Sequence, residues 1–357
     1  MSAPELEGLR GYSFELGAIR PPSEGGSHSL LIRATRNCPW NLCAFCYGTP
    51  YSREKFQLRS VEEIKKDIET VKAISEDLSS AIKKLGLQIV QTQLLLDYNP
   101  SVITVFNWLM SGARTVFLQD ANSLIMRTSD LVEVLKYLKQ TFPSIERITT
   151  YARAKTVAQK TLEELKEIRE AGLSRLHVGM ETGDDELLKH VNKGVTSEEQ
   201  IVAGKKAKEA GFELSEYVMP GLGGKARWEQ HAKNTARVLN AIDPDFIRLR
   251  PYIPRKGTPL YAEYEKGIFQ LTSPHERLRE LKMMVENLQV TSRLCFDHFM
   301  NSWYRDPSRR HPLFKQDYEG YKLPEEKGEV LKLIEEGLAI DESTHMHAKD
   351  LIESMFL

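Results

Sequence analysis

Three of the chain's four cysteines fall within nine residues, as Cys38, Cys43 and Cys46 in the stretch Asn37-Cys38-Pro39-Trp40-Asn41-Leu42-Cys43-Ala44-Phe45-Cys46. Thiolates favour soft metals, chiefly zinc, copper(I) and iron–sulfur clusters. A structural zinc ion closes its shell with four ligands, usually as two spaced pairs. Here no second Cys/His pair follows at finger or ribbon spacing. A [4Fe–4S] cube normally takes four cysteines, so three would leave one iron open to a ligand that is not protein. The triplet alone leaves three chemistries standing: a cluster with an open iron, a zinc site completed from elsewhere, or thiols that are merely buried or paired. The last is disfavoured in a chain that reads as cytoplasmic.

Other groups that could do chemistry sit at the ends of strand-like runs. In Arg175-Leu176-His177-Val178-Gly179-Met180-Glu181 the even positions are apolar. Side chains alternate along a strand, so Arg175, His177, Gly179 and Glu181 share the opposite face, with Glu181 at the end. The same parity in Phe246-Ile247-Arg248-Leu249-Arg250 places Arg248 and Arg250 together. Inward charges are costly unless paired, so they imply an anionic ligand or partners such as Glu181 and Glu216. Gln119 and Asp120 end one run, and Arg153 follows another, where it could grip a carboxylate through two hydrogen bonds. Lys193 lies in Asn192-Lys193-Gly194 and is either a ligand cation or a solvated lysine. Cys295 stands apart and reads as a small buried residue. The basic and aromatic residues of 303–315 read as a solvated face or lid.

These residues need elements to hold them. Leu30–Arg36 is the first strand candidate, after a Pro-Pro-Ser-Glu-Gly-Gly loop at 21–26. From Ser60 the pattern turns helical, with a capping box at Ser60–Glu63 and apolar residues every three or four positions. A further helical stretch, 84–112, is an insertion that could serve as an interface or a lid. Strand-like runs then recur at Arg114–Gln119, Ile145–Tyr151, Arg175–Glu181, Phe212–Met219 and Phe246–Arg250. Helix-like runs recur at Thr128–Gln140, Thr161–Ala171, Ser197–Ala210 and Arg227–Ala241, with Gly172 and Gly211 as C-caps. Alternation of this kind implies βαβ units and a parallel sheet. Past Pro251 the alternation stops, and helices are expected at 275–292, 326–336 and 342–355. The chain divides into an N-terminal segment (1–28), an α/β core (29–250) and a mostly helical extension (251–357).

The cysteine stretch resembles the cluster loop of the radical S-adenosylmethionine (radical SAM) superfamily. There, three cysteines after the first barrel strand hold a [4Fe–4S] cluster, and an aromatic residue, here Phe45, precedes the third. The open iron takes the amino and carboxylate groups of S-adenosylmethionine (SAM). The first gap here is one residue longer than the family's commonest spacing. The resemblance implies a partial (β/α)6 TIM-like barrel. It also implies reductive cleavage of SAM to a 5′-deoxyadenosyl radical that abstracts hydrogen from a substrate. Glu181, in Gly179-Met180-Glu181-Thr182-Gly183-Asp184, matches the fourth-strand position whose side chain accepts hydrogen bonds from the SAM ribose. Lys193 matches a cation facing the SAM carboxylate, with Arg153 and Arg248 as further candidates. Gln119 and Asp120 occupy the place of a Gly-Gly-Glu-like segment that receives the SAM ammonium, although the glycines are absent. An external electron donor, flavodoxin- or ferredoxin-like, is implied.

The barrel motifs resemble most the group containing oxygen-independent coproporphyrinogen oxidase, the methylthiotransferases and the Elongator catalytic subunit. Four cysteines are too few for a second cluster bound wholly by cysteine. That argues against tRNA methylthiotransferases and auxiliary-cluster maturases, and 28 residues before the first strand are too few for a cobalamin-binding domain. The chain's 357 residues, 41% hydrophobic and 28% charged, suit an ordinary globular protein. A net charge of −1 gives no global electrostatic case for nucleic acid. No apolar run approaches a membrane span, and the N-terminus lacks a signal-peptide pattern, so the expected location is the cytoplasm. Two other classes fit the cysteines: a zinc-stabilised binding protein and an electron-transfer iron–sulfur protein without SAM chemistry. Neither needs the carboxylate at 181 or the strand–helix alternation.

Overall fold

The computed structural model describes residues 4–17, 29–46, 55–298 and 300–352; the proline–glycine loop at 21–26 lies outside them. The fold is α/β, with a mostly parallel main sheet of eight strands. The chain forms two compact units. The first is Met1–Cys38, Phe56–Tyr151 and Lys166–Arg175; the second is Pro39–Lys55, Ala152–Leu165 and Leu176–Leu357.

In the first unit β1 (Leu30–Arg33) runs parallel to β4 (Thr115–Gln119), which runs parallel to β5 (Arg147–Ala152). The expected first strand is divided. Its second half, β2 (Thr35–Arg36), pairs instead with β3 (Gln57–Leu58) in a small antiparallel ladder. Arg36 and Gln57 face each other across that ladder. Helix Val61–Leu85 starts at the expected capping box: Ser60 Oγ accepts from the Glu63 amide and Glu63 answers to the Ser60 amide. Ile64, Ile68, Val71, Ile74 and Leu78 of this helix are fully buried, which is the periodic stripe read from the sequence. The insertion is two helices, Leu87–Asp97 and Pro100–Met110. The second is core: Val102, Val105 and Trp108 are buried, and Trp108 Nε1 donates to the Thr115 carbonyl at 2.9 Å. The first leaves Leu95 and Leu96 exposed.

The second unit carries most of β6 (Leu173–Glu181), followed by β7 (Glu213–Val218) and β8 (Phe246–Leu249). Parallel β7 and β8 pair in the register Tyr217↔Arg248. Helices Ser197–Glu209 and Gly224–Ile242 lie between these strands in sequence, as the alternation predicts. Gly172 and Gly211 adopt the positive φ expected of C-caps, 124° and 85°.

Beyond Pro251 the structure corrects the sequence reading, because the sheet continues. β9 (Arg293–Cys295) runs parallel to β8, and β10 (Tyr321–Lys322) pairs antiparallel to β9. Strands of three and two residues are too short to show a period. The expected helix at 275–292 is Pro274–Asn287, and that at 326–336 is Lys327–Ala339. Instead of one helix from 342, two 3-10 turns form at Glu342–Thr344 and Ala348–Leu351. Phe296, Trp303, Phe314 and Tyr321 are core: Phe296 stacks on Phe314 at 4.0 Å and Trp303 meets Phe314 edge-on. Nearby Arg305 and Lys315 pair with Glu336 and Glu326.

Gly183, just past β6, shows how closely this unit packs. A β-carbon there would lie 2.8 Å from Val238 and 2.9 Å from the Asn234 carbonyl carbon. We expect Gly183→Ala to destabilise the protein by about 1–3 kcal/mol, read as a lowered urea midpoint without a change in m-value.

Candidate active site

The alternation read along β6 is present. Leu176, Val178 and Met180 are buried apolar side chains, and Glu181 ends the strand. Glu181 adopts a left-handed backbone, φ 64°, which is uncommon for a residue with a β-carbon. Its carboxylate meets Lys193 Nζ at 2.8 Å, and the two side chains are only 13% and 11% exposed. A side chain at Gly179 would collide with the Glu181 carboxylate and come within 3.1 Å of Lys193 Nζ, so glycine two residues before Glu181 leaves room for the pair. Burial alone would lower the pKa of Lys193, but Glu181 and then Cys43 outweigh it, and the ammonium is held above its ordinary value.

The segment carrying Lys193 grips the cysteine loop. Ala44 N donates to the Val191 carbonyl at 2.8 Å, and Trp40 Nε1 to the Asn192 carbonyl at 2.7 Å. Asn192 Nδ2 reaches the Leu42 carbonyl, and Lys193 Nζ sits 5.6 Å from the Phe45 ring centroid. Arg153 donates to the Lys193 carbonyl at 2.8 Å and lies 5.1 Å over the Trp40 ring. Gly194, at φ 69°, packs under that ring, and a β-carbon there would be 2.5 Å from it. Ala44 and Phe45 are buried in an apolar cluster with Leu187, Val191, Leu222 and Tyr252, and Cys43 packs on its edge. Cys46 is exposed.

A second carboxyl belongs to this group. Glu216, on β7, is 2% exposed, and its Oε2 has no hydrogen-bond partner. Burial, then the negative charge of Glu181, push its pKa well up, which favours the protonated form. The glycine-rich turn after β7 is tied down: Gly221 N donates to the buried Glu280 carboxylate at 2.9 Å. Burial raises that group to about 8.

In the first unit, Cys38 is partly buried and follows Asn37, whose amide donates to Asp120 Oδ2 at 3.2 Å. Asp120 also takes Arg33 Nη2 at 2.7 Å, while its buried Oδ1 has no partner. The Gln119 side chain bonds both backbone groups of Gly17, at 2.8 and 3.0 Å. Sequence reading missed the hub of this region, Glu15, whose carboxylate meets Arg33, Arg36 and Arg59. Nothing local in the sequence marks it. It also missed Trp40, for which the one signal was an aromatic inside the cysteine spacing.

The structure joins Cys43, Phe45, Arg153, Glu181 and Lys193 in the second unit, and Asn37, Gln119 and Asp120 in the first. Arg248 is elsewhere: it pairs with Asp297 at 2.8 Å between the rings of Phe246 and Tyr318, and not with Glu181 or Glu216. Cys295 is buried, and burial pushes its thiol up to about 12, which disfavours the thiolate. Among the described residues, no three Cys, His, Asp or Glu side chains converge closely enough to hold a metal ion. No described helix is long and apolar enough to cross a membrane.

In the second unit a strand-end acid is thus paired with a lysine and set against the cysteine loop. Residues 105–234 match the model of the radical SAM superfamily. The chain is 24% identical over 174 residues to the heme chaperone HemW of Bacillus subtilis (strain 168), covering 48% of this chain and 45% of that protein. It is 20% identical over 246 residues to Elongator complex protein 3 of Homo sapiens, covering 66% and 44%. Among solved structures, methylornithine synthase aligns with a TM-score of 0.44 at 18% identity, covering 75% of this chain and 67% of that one. The chain thus spans under half the length of these curated relatives. What these matches support is a member of the radical SAM superfamily, its subfamily unassigned. Enzymes of that superfamily use a [4Fe–4S] cluster and SAM. The donor set fits them: thiols suit iron, and the unpartnered oxygens of Asp120 and Glu216 leave hydrogen-bonding capacity for a polar ligand.

The Glu181–Lys193 pair can be tested by itself. We expect Lys193→Met to cost about 1–3 kcal/mol by leaving a largely buried carboxylate unpaired. The double variant with Glu181→Gln should recover part of this loss, as read in a double-mutant cycle of urea unfolding.

Proposed function

We propose that Cys38, Cys43 and Cys46 hold the [4Fe–4S] cluster, and that the SAM bound to it reacts beside Glu181 and Lys193. When bound, the two cofactors supply a 5′-deoxyadenosyl radical for hydrogen abstraction. The observation that carries the reading is the seating of Cys43 and Phe45 against Lys193, at the strand end where Glu181 presents its carboxylate. Ligands bind at the C-terminal ends of strands in parallel α/β sheets. Glu181 accepts hydrogen bonds from the ribose hydroxyls, and Lys193 and Arg153 offer positive charge to the SAM carboxylate. Asp120, held by Arg33 beside Asn37, keeps Oδ1 as an acceptor for the SAM ammonium, and Gln119 fixes the segment around Gly17. Arg248 would have to leave Asp297 to reach an anion, so its part is structural. The buried apolar cluster around Phe45 excludes water from the reacting atoms. An external flavodoxin- or ferredoxin-like donor supplies the electron. The relatives named above differ in what they act on, and no substrate is taken from them.

The test is anaerobic reconstitution with iron and sulfide, followed by EPR of the dithionite-reduced protein with and without SAM. A [4Fe–4S]+ signal that changes on adding SAM is expected, and it should be lost when any of the three cysteines is replaced by alanine. A cluster indifferent to SAM would leave an electron carrier, and bound zinc without sulfide would leave a structural metal site. In the same assay Glu181→Ala should keep its iron and sulfide while SAM affinity falls about tenfold, the worth of one charge-assisted hydrogen bond. Unchanged affinity would remove the ribose assignment.

A further inference from the structure

The insertion after helix Val61–Leu85 carries a helix that is apolar on both sides. Helix Leu87–Asp97 has no charged residue before its last position. It packs against helix Val61–Leu85 and buries Val90 and Leu94. The opposite side is also apolar: Ile89, Leu95 and Leu96 are 56%, 72% and 74% exposed, and Tyr98, just past the helix, is 74% exposed. A surface helix ordinarily buries one stripe and turns charge to solvent. Helix Val61–Leu85 does so, with Glu62, Lys66, Glu69, Lys72, Lys83 and Lys84 exposed. A helix that is apolar all round is normally covered all round.

The chemistry of the face says what covers it. Asp97, the helix's single charge, is met by Arg10 at 2.8 Å. A strongly acidic or basic partner therefore finds no complementary charge on this helix. A helix that lies on lipid headgroups carries Lys or Arg on its polar face, and this one carries none. An uncharged face is matched by another uncharged face, and a second copy of the chain brings one. Interfaces between identical subunits are of this apolar, charge-depleted kind. The geometry agrees. Ile89, Thr92 and Leu96 follow one another at three and four residues, the spacing by which one helix packs along another. Thr92 Oγ1 already donates to the Gln88 carbonyl at 2.8 Å, so burying it orphans no donor. A standard interface takes about 800 Å² from each partner, and the exposed side chains from Leu87 to Tyr98 present an area of that order. The helix is also short and has no side-chain N-cap, so its stability comes from what it packs against.

We propose that helix Leu87–Asp97 is the contact of a two-fold symmetric homodimer, with the seam Ile89, Thr92 and Leu96 packed on the same seam of a second copy. In such an interface the patch meets itself, and Thr92, at the centre of the seam, lies beside the two-fold axis.

Sedimentation velocity of the reconstituted full chain, run across the micromolar range, reads the association. We expect a monomer–dimer equilibrium whose dissociation constant rises about a hundredfold or more in Leu95→Glu and in Leu96→Glu, because each copy then brings a charge into an apolar contact. Both side chains are exposed within one chain, so the far-UV circular dichroism of these variants should be that of the wild-type protein. Thr92→Cys tests the contact without adding charge: a short bismaleimide should join two chains through position 92 of each, as read by peptide mapping. A wild-type chain that stays monomeric overturns the proposal; if neutral phosphatidylcholine vesicles then float it, and float neither glutamate variant, the face is a lipid contact instead. A dimer that persists in both glutamate variants overturns it by placing the contact elsewhere. So does a dimeric Thr92→Cys protein that yields no product linked through position 92.

Discussion

Much of the second unit's candidate site depends on one short segment, Val191–Gly194. It is held from below by its own turn, where Lys193 N donates to the Leu188 carbonyl at 2.9 Å. On its other side Ala44 N and Trp40 Nε1 donate to its carbonyls, and its Asn192 side chain donates to the Leu42 carbonyl, which fixes the backbone of the cysteine loop. The same four residues present the lysine that neutralises Glu181. Backbone bonds and charge pairing are thereby coupled: a shift that loosened the loop would also move the ammonium. Replacing a buried ion pair by well-packed apolar residues is often neutral or stabilising. The Glu181–Lys193 pair is therefore poorly explained by stability alone. Close to it Glu216 is buried with its Oε2 lacking a hydrogen-bond partner, and burial and the charge of Glu181 raise its pKa.

The first unit solves a related problem with a network instead of a pair. Glu15, from the N-terminal segment, is the common acceptor for Arg33, Arg36 and Arg59, while Asp67 takes Arg59 and Asp120 takes Arg33. Arg59 is 4% exposed at its side chain, so its charge must be met locally. Burial and hydrogen bonding pull the two acids in opposite directions. Hydrogen bonding from Arg36 leads in lowering Glu15, whereas burial leads in raising Asp67. The result is that Asp120 is held on one oxygen by Arg33 and the Asn37 amide, with its other oxygen left over. Orientation of that carboxylate is thus set by residues from three separate stretches of the chain.

That explains what could be read in the sequence and what could not. The strands β4 to β8 and their helices announce themselves through local periodicity, and the capping box at Ser60 through a four-residue pattern. The cysteines are legible by spacing, and Glu181 by parity along one strand. Partnerships across the chain leave no such mark. Gly17 and Gln119 are 102 residues apart, and Arg248 and Asp297 are 49 apart. The inward arginines were expected to meet an anionic ligand or a carboxylate such as Glu181 or Glu216. The acid that meets Arg248 instead comes from just beyond β9, a strand too short to be seen.

Arg248 and Arg250 show why that unseen strand matters for the chemistry. By residue type, spacing and strand the two are equivalent, and no local pattern separates them. What separates them is the chain returning past β9. It places Asp297 and the Tyr318 ring on Arg248, whereas Arg250 makes no ion pair among the described residues. The extension therefore does more than add helices. It supplies, from 49 residues further along the chain, the acid that meets the buried Arg248.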